Sequence, residues 1–298
     1  MTEIPFHRDF TVEYGIAETV SPLIRRIVAR NAGPFTFTGT GTYVVGRGQV
    51  AIIDPGPDLA EHIEALLDAL RGETIGHLLI THTHRDHSPA TAAIKRATGA
   101  RSYGFGPHGA ASGATGEEGA DIGFVPDQIL QDGDVVAGPG WQLTSIHTPG
   151  HTSNHLCYAL AEEAALFTGD HVMGWSTSVI APPDGNLGDY MRSLEKLLTR
   201  DDRLYWPTHG PAIGDPKPFV QAFIDHRNER SAAILNRLAS GDSEIEKMVE
   251  AIYIGLAPGL RAAAARSVFA HLIEFHKQGL VTCDEPPTVT GRYRLRSS

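Results

Sequence analysis

The stretch that decides the fold reads Thr81-His82-Thr83-His84-Arg85-Asp86-His87-Ser88-Pro89-Ala90. The apolar run IGHLLI, residues 75–80, leads into it, and Ser88-Pro89 is a helix-starting pair, so the stretch lies on a strand-to-helix loop. Side chains two residues apart on such a loop can aim at one point. His82 and His84 can therefore share a metal ion while Asp86 and His87 turn toward a second. The plainer reading is a solvated turn rich in histidine; four candidate ligands in six residues weigh against it.

Three further candidates each stand at the end of an apolar strand: His151 in TPGHT, Asp170 in FTGDH and His209 in WPTHGP. A carboxylate has two oxygens and can bridge two cations. Asp170 is thus the natural link between a site of His82, His84 and His151 and a site of Asp86, His87 and His209. The set takes up five of the chain's 15 histidines. Asp54 in IIDPG and His155 beside the metal turn are candidates to support the ligands by holding a far ring nitrogen. The plainer reading of Asp54 is a turn-forming Asp-Pro-Gly. His171 follows Asp170 and faces the other way if the strand continues, so it stays outside the ligand set. His108 lies in a Gly- and Ala-rich segment, residues 104–124, that reads as a rim loop within reach of substrate.

Around these residues, two β-branched runs about Gly46-Arg47-Gly48 signal a hairpin. Leu59, His62, Ile63, Leu66, Leu67 and Leu70 form a helical stripe that stops at Gly72. WQLTSI, HLCYAL, ALFTG and LYWP read as strands, GDYMRSLEKLLTR as a helix, and PAIGDPKP as a linker. Beyond the linker come three helices, over about 219–239, around 245–252 and over about 260–277, and a terminal hairpin. That element order suggests a winged-helix-like module. The expected domains are residues 1–215 and 216–298, in keeping with roughly 100–200 residues per domain.

Hydrophobic residues make up 41% and charged residues 20% of the 298, and no apolar run approaches the roughly 18 residues of a membrane span. Collagen, disorder and a membrane-spanning protein are thereby excluded. The first residues, MTEIPFHRDF, lack the pattern of a secretory signal, which sets the expectation of a cytoplasmic protein. Cys157 and Cys283 lie far apart, which argues against a disulfide framework and a thiolate zinc site.

The order HxHxDH, a GHT histidine, a GD aspartate and a late histidine resembles the metallo-β-lactamase superfamily over roughly residues 35–215. The resemblance implies an α/β fold, an αββα sandwich with a dinuclear metal site, usually zinc, at one edge of two facing sheets. FTFTGTGTYVVG, IDPGP, TPGHTSNH, GDHVMGWSTSVI and the C-terminal helices are similar to the lactamase-beta-like protein 2 group. That group includes an endoribonuclease and carries a small winged-helix-like C-terminal domain. Full HxHxDH ligation with the bridging aspartate sets the chain apart from true zinc β-lactamases, so antibiotic hydrolysis is not the expected activity. Mixed histidine and carboxylate ligands take Zn2+ most readily and also accept iron or manganese.

Two divalent cations about 3.5–4 Å apart can share a hydroxide near neutral pH, so the expected reaction is hydrolysis, with that hydroxide as nucleophile and Asp86 orienting it. Single-stranded RNA is the substrate the group resemblance favours, and Arg292, Arg294 and Arg296 alternate so as to share one side of a strand. A formal charge of -10 argues against a large nucleic-acid footprint, and the plainer reading of the three arginines is a protected edge strand. The alternative is a small ester, a thioester as in glyoxalase II, or a lactone, with residues 175–180 and Pro182-Pro183 as an apolar wall. A non-catalytic nucleic-acid-binding or dimerising protein is the third reading, against which the complete ligand set speaks. A homodimer contact through the C-terminal module stays open.

Overall fold

The computed structural model describes residues 3–109, 119–284 and 286–296. Seven strands form one sheet in chain order: β1 (Glu18–Thr19), β2 (Ile24–Val28), β3 (Gly41–Val45), β4 (Gln49–Ile53), β5 (Thr74–Leu79), β6 (Arg101–Gly104) and β7 (Gln128–Ile129). The next five, β8 (Val135–Gly138), β9 (Trp141–His147), β10 (Leu156–Leu160), β11 (Ala165–Gly169) and β12 (Leu204–Pro207), form a second sheet in the order β12-β11-β10-β9-β8.

Period-two alternation assigns each side chain to a layer. On β4, Ala51 and Ile53 face the space between the sheets, where they meet Leu143, Tyr158 and Phe167 of the second sheet. Val50 and Ile52 face outward against helices α1 (Ala60–Ala69) and α2 (Thr91–Thr98), packing with Leu66, Leu70 and Ile94. On β10, Leu156, Tyr158 and Leu160 point between the sheets, while Cys157 and Ala159 point at helix α3 (Leu187–Leu198) and the start of helix α4 (Pro216–Ala239). The layers are therefore α, β, β, α. Strands covered on both faces read as unbroken apolar runs, which is why YVV, AII and LCYAL show no polar face. Tyr190, Leu194 and Leu197 of α3 are fully buried, each contributing about 1.5–3 kcal/mol. Burial pushes the Cys157 thiol up to about 12, so it behaves as an apolar core group.

The C-terminal part packs α5 (Ile245–Ile252), α6 (Arg261–Lys277) and the hairpin of β13 (Val281–Cys283) and β14 (Tyr293–Leu295) around Met248, Val268, Leu272 and Tyr293. Helix α4 contributes to two cores. Phe219, Val220 and Phe223 pack with α3 and the second sheet, whereas Ile234 and Leu238 pack with α5 and α6. Two sequence expectations need correction here. Pro216-Lys217-Pro218 is no linker but the first turn of α4, where a missing amide proton costs nothing. Strands β1, β2, β6, β7 and β8 were not expected, since they are short or carry charges within them. The expected rim loop, residues 104–124, is described except for 110–118. Among the described residues no helix is long and apolar enough to cross a membrane.

Candidate metal centre

Strand direction gathers the candidate ligands. β4, β5 and β6 run parallel, as do β11 and β12, and β9 shares their sense because β10 is antiparallel to both its neighbours. The segments that leave β4, β5, β9, β11 and β12 carry Asp54, His82 to His87, His151, Asp170 and His209, all at one rim of the sandwich. Bonds between the sheets fix the two halves of this rim: Tyr43 Oη donates to Pro207 O (2.7 Å), Tyr158 Oη to Ile80 O (2.7 Å), and Leu156 N to Thr81 O (2.7 Å).

Three groups of ligand atoms result, each lying within 4.8 Å of one another: His82, His84 and His151; His82, His87 and Asp170; and Asp86, His87 and His209. Asp170 lies between the outer two, with Oδ2 3.6 Å from His87 Nε2 and 3.8 Å from His151 Nε2, and Oδ1 3.4 Å from His209 Nε2. All seven residues singled out from the sequence thus converge. His171 does not: its ring is buried against Tyr190 and His155, and it belongs to none of the three groups.

The far ring nitrogens are held individually. His82 Nδ1 meets Thr81 Oγ1 (3.0 Å), His87 Nδ1 donates to Asp54 Oδ2 (2.9 Å), His151 Nδ1 to Val179 O (2.6 Å) and His209 Nδ1 to Gly39 O (3.1 Å). Each contact fixes the ring and turns Nε2 to the centre, the orientation that metal ligation needs. Asp54 also accepts from Thr81 N, Thr81 Oγ1 and Thr208 Oγ1, at 2.8, 2.8 and 2.9 Å. Its backbone stands at φ 49°, a strained position for a non-glycine residue, kept by these four contacts. His155 Nε2 accepts from Asp170 N (3.3 Å) and its ring stacks 5.2 Å from that of His82, so it fixes the aspartate from behind. His108 meets Thr83 Oγ1 at 2.9 Å, with its ring 6.2 Å from that of His84.

Do these residues fit a cation pair? His82 Nε2 and His151 Nε2 both point at His84 Nδ1, at 2.9 and 3.1 Å, and one proton cannot satisfy three converging nitrogens. His87 Nε2 and Asp170 Oδ1 are buried without a hydrogen-bond partner, and His209 Nε2 lies 3.0 Å from Asp86 Oδ2 without hydrogen-bond geometry. Such orphaned groups are costly in a protein interior, and cations satisfy all of them at once. The electrostatics agree. Burial, then the neighbouring His87 and His84, holds His82 well below the usual imidazole range, and burial with His151 brings His84 down to about 3, so both are neutral ligands. Burial opposes charge on His87 and His209, but the surrounding carboxylates outweigh it and raise both. Asp86 and Asp170 are pulled well down despite burial, chiefly by the charges of His87 and His209, and stay carboxylates.

The sequence did not disclose several contributors: Thr81 and Thr208 on Asp54, the carbonyls of Gly39 and Val179, and Ser178, whose Oγ lies against Asp170 O and His171 O. Trp175, expected in a pocket wall, stacks on Phe37 with ring centroids 4.8 Å apart and packs over Gly210, next to His209.

An αββα sandwich with this histidine and aspartate cluster at its rim defines a class, the metallohydrolases of that architecture. The chain belongs to the metallo-β-lactamase superfamily, whose profile it matches over residues 36–209, and a beta-lactamase associated winged helix domain follows at 245–285. It is 33% identical over 274 residues to a beta-lactamase-like protein 2 homolog of Caenorhabditis elegans, covering 89% of this chain and 88% of that one. It is also 33% identical over 230 residues to an atrochrysone carboxyl ACP thioesterase of Aspergillus terreus, covering 76% of this chain and 67% of that one. A beta-lactamase domain protein from Burkholderia ambifaria shares the fold with a TM-score of 0.81 at 20% identity, over 97% of this chain and 96% of that one. The chain is accordingly a hydrolase of the metallo-β-lactamase superfamily.

Proposed function

We propose that the chain is a dinuclear metal-dependent hydrolase of acyl thioesters. The observation that carries this reading is the convergence of five histidines and two aspartates with orphaned buried donor atoms, joined by kinship to a protein named as a thioesterase. His82, His84 and His151 would hold one cation, Asp86, His87 and His209 the other, with Asp170 between them. Zn2+ suits these ligands best. When bound, the cations supply a water of lowered pKa and polarise the acyl oxygen.

The chain's own residues do the rest. Asp86 is the more open of the two central carboxylates, its side chain 27% exposed against 10% for Asp170, so a water can reach it. Its carboxylate takes the proton of the attacking water as the new C–O bond forms, then gives it to the sulfur as the C–S bond breaks. The products are a carboxylic acid and a thiol. The Phe37 and Trp175 pair, beside His209 through Gly210 and Gly39, forms an apolar wall for the acyl group. Phe37 stands at φ 55°, which a bulky residue adopts only when its surroundings impose it. A single-stranded RNA substrate draws less support, because Arg292 is paired with Glu244 at 2.8 Å.

The test is a panel of aromatic and aliphatic acyl thioesters, aryl esters, lactones and labelled single-stranded RNA, each with and without chelator, alongside metal analysis. Thioester turnover lost on chelation is the expected result. RNA cleavage without thioester turnover overturns the reading.

A further inference from the structure

Arg227 on α4 is a buried guanidinium, 5% exposed. A buried charge is costly unless its donors are used. Arg227 donates through Nη2 to Ser178 O, at 2.5 Å, and lies over the ring of Tyr190 at 5.3 Å. Ser178 is fully enclosed by the same group: its Oγ contacts Asp170 O and His171 O, and Tyr190 Oη donates to His171 O at 2.8 Å. The next residue, Val179, offers the carbonyl that accepts from His151 Nδ1. Two successive carbonyls, those of Ser178 and Val179, are therefore gripped by the C-terminal helix at the first and orient a ligand histidine at the second.

We infer that Arg227 is a positioning residue which, through the adjoining Ser178 and Val179 carbonyls, fixes the tautomer and direction of His151 and couples α4 to the metal centre. The inference rests on the metal reading above only for its effect on binding. The orienting of His151 is a property of the metal-free chain. His209 serves as an internal control, since its Nδ1 is held by Gly39 O, far from this strap in the sequence.

The test compares wild type with Arg227→Met, which keeps the packing volume and removes the donors. In metal-free, 15N-labelled protein the His151 Nδ1–H signal is expected to shift or broaden while that of His209 stays in place. On titration with Co2+ against a chelator, one of two equivalents is expected to bind about 10–100-fold more weakly, the usual effect of removing a partner of a ligand histidine. Arg227→Lys, with one donor group and a shorter reach, is expected to restore part of both. An unchanged His151 signal, or equal changes at His151 and His209, overturns the inference, the latter because it marks a general loosening. If Arg227→Met does not fold, the same selective shift is read in Arg227→Lys, and its absence decides against the inference. A wild-type chain that binds no Co2+ overturns the metal reading instead, and the His151 signal still decides the role of Arg227.

Discussion

At the scale of single residues, Asp86 and the histidine pairs make the sharpest demands. Asp86→Ala is expected to weaken the metal that Asp86 would share with His87 and His209 and, compared at saturating metal, to lower thioester turnover about 100-fold or more, the range for removing a positioned base. Near-wild-type rates with full metal content would show that the proton is handled elsewhere. A pH prediction follows from the opposite shifts. A histidine held above its usual range carries a proton that a metal must displace, so affinity falls as pH falls. This applies to His87 and His209, whereas His82 and His84 are neutral throughout the working range. On acid titration the metal beside Asp86, His87 and His209 is therefore expected to leave at the higher pH, as read by stepwise metal release. The ligands themselves were legible in the sequence because HTHRDH is a local pattern and the other three end apolar strands. The groups that orient them were not, since the carbonyls of Val179 and Gly39 have no sequence signature and Gly39 lies 170 residues from the histidine it holds.

At the scale of elements, the turn carrying His151 depends on α3. Gly150 stands at φ 141°, and a Cβ added there would lie 2.3 Å from Tyr190 Cα, a backbone atom of the helix. Gly150→Ala must push α3 away from the turn. The expected cost is about 1–3 kcal/mol, seen as a lower melting temperature, together with weaker metal binding. A variant as stable as wild type would mean that the helix slides freely. The helices α1 and α3 were readable because their apolar spacing repeats at helical period, and α2 because Ser88-Pro89 precedes it and Gly99 caps its end. The start of α4 was misread because Pro216 and Pro218 look like linker residues, although the first turn tolerates both. β7 and β8 are short and mostly exposed, so their residues carry little of the pattern that marks a strand.

At the scale of the whole molecule, the proposed division into residues 1–215 and 216–298 cuts the chain just before a helix that serves two cores. A fragment ending at residue 215 would lack Phe219, Val220 and Phe223 and uncover the face of α3 on which they pack. Such a fragment is expected to be insoluble or to lose its cooperative melting transition, while one ending after α4 keeps that core covered. A well-folded, metal-binding 1–215 fragment would show that the first core is sufficient alone. The αββα arrangement was legible through the family resemblance, but the sharing of α4 was not. Nothing in its sequence tells which neighbour its two halves will meet.

The bond between Gly39 and His209 also bears on how the protein is made. Gly39 leaves the ribosome 170 residues ahead of its partner, roughly 10–30 s at synthesis rates of 5–20 residues per second. During that interval His82, His84, Asp86 and His87 are already available, while Asp170 and His209 come later. A cation captured in the first part of that interval meets an incomplete set of ligands and can exchange. For a chain that holds its cations as proposed, firm retention would belong to the finished chain, and a metal would be acquired for good only once translation has passed the last strand of the second sheet.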